Sequence, residues 1–180
     1  MPLSPLSAYA VSKLAAENYC GVFHQIYHLP TICLRYFNVY GPRQDPNSQY
    51  AAVVPRFISL VRQGKPPIIY GDGRQTRDFT FVMDAVQANI AAAESQSTGI
   101  FNIGTGKYTT INELAQTVIR TMGKKMEPVY QEPRTGDIVD SVADISKAMS
   151  IGYVPRYSLA EGLKQTIDWF ERSGEGILMK

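Results

Sequence analysis

Between residues 8 and 28 the apolar side chains Val11, Leu14, Ala15, Tyr19, Val22, Phe23 and Ile26 recur at three- and four-residue spacings, the period of one helix face. Ser7 precedes them as a suitable N-cap and Pro30 closes the element. Residues 31–36 then read as a strand that is largely apolar on both faces, the pattern of a buried parallel sheet. A helix followed at once by such a strand is half of a parallel α/β unit. A strand of this kind needs neighbours on both sides, and they are expected to be missing from this chain.

Downstream, a second helix is predicted from about residue 50 to Gly64, then a short strand at 68–70 and a turn at Gly71-Asp72-Gly73. Residues 79–82 look extended and residues 84–95 form an Ala-rich helix. Gly99 precedes a strand at 100–103, which gives way to Gly104-Thr105-Gly106, read as a structural turn. Thr110 with Glu113 three residues on is a capping-box pattern for a helix to about Met122. Residues 127–130 suit an edge strand, and two helices, 146–150 and 159–172, complete the pattern. Residues 173–180 form a tail without usable pattern, and there are neither internal repeats nor low-complexity segments.

Composition narrows the function classes. The chain has 180 residues, 44% hydrophobic and 19% charged, with a net charge of +2. Those values suit a soluble globular protein and argue against disorder, a coiled coil or an electrostatic nucleic-acid binder. No apolar run reaches the 18 or so residues of a membrane span, and the first residues lack the charged and apolar regions of a secretion signal. Cys20 and Cys33 have no metal-type spacing and are expected to be buried free thiols in a cytoplasmic protein. His24 and His28 stand one helical turn apart without a carboxylate or Cys in register, so no metal site is expected. Eleven tyrosines suit sites that hold rings and sugars.

Candidate chemistry starts at Tyr9-Ala-Val-Ser-Lys13, which places a phenol and an ammonium four residues apart on one helix face. A nearby Lys⁺ favours phenolate and makes Tyr9 a candidate general acid/base, although such a pair alone is as readily a surface feature. Further along stand Leu34-Arg35-Tyr36-Phe37-Asn38-Val39-Tyr40-Gly41-Pro42-Arg43, Gly71-Asp72-Gly73 with Thr76-Arg77-Asp78-Phe79, Phe101-Asn102-Ile103-Gly104, Arg134 with Asp137, and Ala143-Asp144 with Lys147. In this order, from about residue 5 to 170, the motifs resemble the extended short-chain dehydrogenase/reductase superfamily, specifically its NAD-dependent nucleotide-sugar epimerases and dehydratases.

The resemblance implies an α/β fold: a partial Rossmann helix–strand unit (residues 1–45), a mixed substrate-binding lobe (46–172) and a tail (173–180). It covers only the second half of the family's pattern. The first half is a Rossmann domain whose Gly-rich loop cradles the dinucleotide pyrophosphate, and the chain is expected to be a truncated form of low or no activity. By the resemblance Tyr9 takes the proton from the sugar O4 and Lys13 binds the nicotinamide ribose while tuning that phenol. Tyr36 and the Phe37 backbone border the nicotinamide of NAD, and Asn38 meets the substrate diphosphate. The backbone at Ala52 and Val53 contacts the uracil, Arg56 stands near the nucleotide, and Ile68 and Tyr70 flank base and ribose. Arg77 and Arg134 match two cationic diphosphate contacts, for which a guanidinium fork is suited. Asp137 accepts from ribose hydroxyls, and Asp78 is expected to position Arg77 through a salt bridge.

The motifs from Leu34 onward look like those of UDP-hexose 4-epimerases that accept N-acetylated sugars. The position near the sugar C2 falls on Ser141, where a small residue leaves room for an acetamido group. The implied reaction is transient oxidation: hydride leaves C4 for NAD⁺ as Tyr9 deprotonates O4, and the keto sugar turns over and is reduced on its other face. A homodimer through the Tyr9 helix and a UDP-sugar substrate are the implied partners, with no nucleic acid and no membrane. Two alternatives stay open: a non-catalytic UDP-sugar-binding lobe or subunit, and a nucleotide-sugar dehydratase or decarboxylase of the same superfamily.

Overall fold

The structure is a computed structural model that describes residues 4–5, 7–45, 52–134, 136 and 138–172. The opening helix α1 (Ala8–Tyr27) begins where Ser7 Oγ accepts from the Ala10 N–H at 3.1 Å and ends on His28 in the left-handed conformation. It leads into β1 (Ile32–Tyr36). Two contacts fix their relation: Glu17 and Arg35 form a two-bond ion pair, at 2.6 and 2.5 Å, and Thr31 Oγ1 donates to the Cys20 carbonyl. Thr31, Cys33 and Arg35 therefore face α1, because alternate residues of a strand share a side. Ile32, Leu34 and Tyr36 face the other way, toward an open groove of about 570 Å³ bounded by α3 (Val82–Glu94).

The neighbours of β1 were expected to be absent altogether. One is present: β6 (Gly99–Ile103) pairs with it in parallel, Ile32 opposite Gly99 through Tyr36 opposite Ile103. The other edge of β1 carries no strand among the described residues. Parallel pairing from so far along the chain is possible because α3 supplies the crossover between β5 (Thr80–Phe81) and β6. Beneath this sheet lies a small core of Ala88, Phe101, Ile103, Ala148 and Tyr153.

The larger core belongs to three amphipathic helices, α2 (Val53–Arg62), α4 (Ile111–Thr121) and α6 (Leu159–Arg172). Phe57, Ile58, Val61, Leu114, Val118 and Leu163 are all buried within it. The expected capping box at α4 is formed: Thr110 Oγ1 accepts from the Glu113 N–H at 3.1 Å and Glu113 Oε2 from the Thr110 N–H at 2.8 Å. Helix α6 has a second one, with Ser158 and Glu161 in the same roles.

Short strands stitch the rest. β2 (Val39–Tyr40) pairs in parallel with β5, and β3 (Ile68–Tyr70) with β8 (Val129–Gln131). β4 (Thr76–Arg77) lies between β7 (Thr109–Thr110, antiparallel) and β9 (Asp140–Ser141, parallel). α5 (Ser146–Met149) completes the element order. Cys20 and Cys33 are free but half-buried, not fully enclosed, because α1 itself has no buried residue. Its apolar face stands in the open: Tyr19 and Tyr27 are each 67% exposed and Ile26 63%.

Candidate functional site

A cleft of about 250 Å³ opens between α2, β3 and β4. Its walls come from separate segments of the chain. Asn38 enters from the link between β1 and β2, Ala52 and Val53 from the start of α2, Ile68 and Tyr70 from β3, Arg77 from β4, and Arg134 from the segment after β8. All seven were candidate substrate residues. Arg56 lies in an adjoining recess of about 90 Å³ that shares Val53, Ile68, Tyr70 and Arg134 with the cleft. Asp137 lies outside the described residues. Ser141 does not line the cleft but sits beside Arg77 in the β4–β9 register and is half-buried.

Local rules explain these placements. In β3 the side chains alternate, so Ile69, 1% exposed, enters the core while Ile68 and Tyr70 look into the cleft. Gly73 has φ +73°, and a Cβ there would collide with the Asn112 side chain; the Asn112 N–H donates to the Gly73 carbonyl at 3.0 Å. That turn brings the chain back so that Gln75 and Arg77, two residues apart in extended backbone, both line the cleft. Gln75 was not a candidate, yet the two-residue offset from Arg77 was visible; its Nε2 donates to the Tyr70 carbonyl at 2.8 Å. Ala52 is the N-cap of α2 and has no polar side chain to cap the first turn.

The two arginines are held differently. Arg77 donates from Nη1 to the carbonyls of Thr76 and Ile138, at 2.7 and 2.6 Å. Arg134 stacks on Tyr70, its guanidinium carbon 3.8 Å from the ring centroid. Arg134 above all draws the Tyr70 phenol below its ordinary pKa; burial pushes the other way, and Arg56 adds to the lowering.

Asp78 does not pair with Arg77 as expected. Its carboxylate, wholly buried, accepts from the N–H groups of Thr105 (2.8 Å), Gly106 (2.9 Å) and Ala143 (3.3 Å) and from Thr105 Oγ1 (2.6 Å). A buried carboxylate is best stabilised by such convergent donors. The Gly104-Thr105-Gly106 turn thus has its amides spent on Asp78 and offers no phosphate cradle, in line with its reading as a structural turn.

Tyr9 and Lys13 lie on exposed α1, the ammonium 5.2 Å from the Tyr9 ring centroid. They are outside the cleft lining. The Glu17–Arg35 and Cys20–Thr31 contacts run α1 antiparallel to β1. The N-terminal half of α1, which carries Tyr9 and Lys13, therefore runs in the direction of the Tyr36 end of β1. Tyr36 is 45% exposed, with its hydroxyl on Asn89 Oδ1 at 3.0 Å, and the Phe37 N–H donates to Ile103. Asn38 follows directly and already belongs to the cleft.

A helix–strand unit with a Tyr-Lys pair at its open end, feeding a cleft with converging guanidiniums, is the layout of the C-terminal part of an epimerase in the short-chain dehydrogenase/reductase class. Residues 1–104 match the NAD dependent epimerase/dehydratase family, and the chain belongs to that family. A UDP-N-acetylglucosamine 4-epimerase from Methanobrevibacter ruminantium, solved with UDP-N-acetylmuramic acid, superposes with a TM-score of 0.91 at 43% identity over 96% of this chain and 58% of that one. A Thermotoga maritima UDP-glucose 4-epimerase solved with UDP-glucose gives a TM-score of 0.91 at 42% identity, over 96% and 56%. In sequence, the UDP-glucose 4-epimerase of Mycolicibacterium smegmatis is 37% identical over 97% of this chain and 56% of its own length. A UDP-N-acetyl-alpha-D-glucosaminuronate decarboxylase from Bacillus cytotoxicus is 38% identical over 91% and 53%. The chain spans a little over half the length of these relatives. The family is NAD-dependent, and a Thermus thermophilus neighbour is solved with NAD. Among the described residues no helix is long and apolar enough to cross a membrane.

Proposed function

We propose that this chain carries the nucleotide-sugar-holding part of a UDP-hexose 4-epimerase together with its proton-transferring tyrosine. The observation that carries the reading is the cleft itself, where Asn38, Ala52, Val53, Ile68, Tyr70, Arg77 and Arg134 converge from distant segments. Uracil lies against the first turn of α2, where main-chain groups read its edge. Arg77 and Arg134 hold the diphosphate, the part of the substrate that stays fixed while the sugar turns, with Asn38 beside it and Asp137 on the ribose. Tyr9, on the half of α1 that runs toward the Tyr36 end of β1, takes the proton from the 4-hydroxyl, and Lys13 orients the nicotinamide ribose and favours the phenolate.

Of the residues present, Tyr9, Lys13, Tyr36 and Phe37 suit the nicotinamide end of NAD. No free amide cradle for its pyrophosphate stands at the 104–106 turn, whose N–H groups are taken by Asp78. NAD, when bound, supplies the hydride acceptor at C4. Ser141, small and next to Arg77 in register, supports UDP-N-acetylhexosamines as substrates beside UDP-glucose and UDP-galactose. The open face of α1 supports self-association through that helix.

A second reading, a UDP-sugar-binding lobe without turnover, is favoured by one observation: Tyr9 and Lys13 lie outside the cleft lining. Calorimetric titration with UDP-N-acetylglucosamine tests the binding common to both. Saturable binding is expected to weaken tenfold or more in Arg77→Ala and in Arg134→Ala, since a hydrogen bond to a charged group contributes about 1.5–3 kcal/mol. Binding indifferent to both substitutions would refute the placement of the diphosphate. An epimerase assay with added NAD separates the readings, because turnover abolished by Tyr9→Phe belongs only to the enzyme.

A further inference from the structure

The seam between α1 and β1 has two fixed points, and the two cysteines of the chain lie between them. Arg35 is tied to Glu17 by two hydrogen bonds, and Thr31 Oγ1 donates to the Cys20 carbonyl at 3.1 Å. Cys33 stands midway between Thr31 and Arg35 on the side of the strand that looks at α1, because alternate strand residues share a side. On the helix, Glu17, Cys20 and His24 are half-buried while Asn18, Tyr19 and Gly21 are exposed. That spacing marks the helix face turned to the strand.

The direction of the Cys20 side chain follows from helix geometry. A helical carbonyl points toward the C-terminus, where it bonds the N–H four residues on, while Cα–Cβ tilts toward the N-terminus. The Cys20 carbonyl goes to Thr31, so its thiol leans the other way, toward Glu17. Along the antiparallel strand that is the direction of Arg35, and the first residue met on the same side is Cys33. Both thiols are free and neither is fully enclosed. Burial above all pushes the Cys33 thiol up to about 11, with the Cys20 thiol the next cause; Glu17 adds to the rise and Arg35 opposes it.

We propose that Cys20 and Cys33 are a dithiol modification site, which a low-molecular-weight disulfide converts to an intramolecular disulfide that clasps the helix carrying Tyr9 and Lys13 to β1. The conversion is two exchanges. The Cys20 thiolate, its proton given to water, attacks one sulfur of the oxidant and expels the other half, which takes up a proton. Cys33 then attacks Cys20 Sγ, gives its proton to water and expels the second half as a thiol. Two cysteine thiols are oxidised and one small disulfide is reduced to two thiols. A protonated Cys33 makes the second exchange slow. It does not oppose the product, since a dithiol resists oxidation where its thiolate is stabilised and Cys33 is shifted the other way. The proposal stands apart from the nucleotide-sugar reading and needs no bound ligand.

Oxidised glutathione is the probe, applied to the whole chain folded and in urea across a graded glutathione buffer. The folded chain is expected to lose both thiols together, with an intact mass lower by two hydrogens, no glutathione attached, and a proteolytic peptide joining residues 20 and 33. Closure in the folded chain is expected at an effective concentration at least about tenfold above that in urea, where a short flexible loop supplies only about millimolar. Cys33→Ser is expected to stop with one glutathione on Cys20. A folded parent chain that keeps both thiols, stops at glutathione adducts, joins to a second copy, or closes no better than the chain in urea overturns the proposal.

Discussion

Replacing Asp78 by Ala tests whether the lobe depends on one buried carboxylate. Asp78 is 0% exposed and receives three main-chain N–H groups and one hydroxyl from two distant segments. Alanine leaves the Thr105 and Gly106 amides, and the longer contact from Ala143, without an acceptor. Each buried N–H that loses its partner costs about 1–3 kcal/mol. Removing the charge returns part of its desolvation cost, and water reaching half-buried Thr105 and exposed Gly106 offsets more. A net loss of about 3 kcal/mol is expected, a large share of the roughly 5–15 kcal/mol that holds a domain folded. Urea unfolding followed by the fluorescence of Trp169, the single tryptophan, measures it. With a slope of about 2 kcal/mol per molar, the midpoint should fall by about 1.5 M. Asp78→Asn keeps the volume but turns one acceptor into a donor facing another donor, and should fall between parent and Ala. A midpoint in Asp78→Ala within about 0.3 M of the parent would refute the reasoning, since a loss below roughly 1 kcal/mol cannot include two stranded amides.

Asp84, also wholly buried, accepts from the Arg156 N–H at 2.8 Å, and burial raises its carboxyl above the usual 3.8. The folded state therefore holds that proton more tightly than the unfolded chain, so this group's contribution falls as pH climbs from about 3.8 through the raised value. Measured across that window, the urea midpoint of Asp84→Asn should rise relative to the parent; a difference independent of pH would contradict the burial argument. A Cβ on Gly162 would collide with the Tyr40 hydroxyl and lie 2.9 Å from Phe81 Cδ2, inside the main core. Gly162→Ala should cost about 1–3 kcal/mol and lower the melting temperature by about 2–12 °C by calorimetry. Ser141→Tyr should reduce binding of UDP-N-acetylglucosamine at least about tenfold relative to UDP-glucose in parallel titrations, the size of a steric exclusion of more than 1.4 kcal/mol; equal losses for both sugars would move the acetamido group elsewhere.

Much of this molecule was legible locally. The period of three and four residues gave α1 and its neighbours, and the Thr110–Glu113 spacing gave the start of α4, because a helix and its caps are closed within a few residues. The motif order gave the family and seven candidate residues that the fold draws into one cleft. Three things were decided only in three dimensions. β4, β7 and β9 are two residues each, too short to carry an alternation, and exist because distant segments pair there. β6 came to lie beside β1 through the α3 crossover, supplying a neighbour that no local pattern announces. Asp78 stands next to Arg77 in sequence, but strand geometry turns successive side chains to opposite sides, and the carboxylate met the amides of the 104–106 turn instead. Period and spacing report which face of an element is buried; they carry no information about which partner waits on that face, because that partner is set by chain closure over tens of residues and by the packing of the whole.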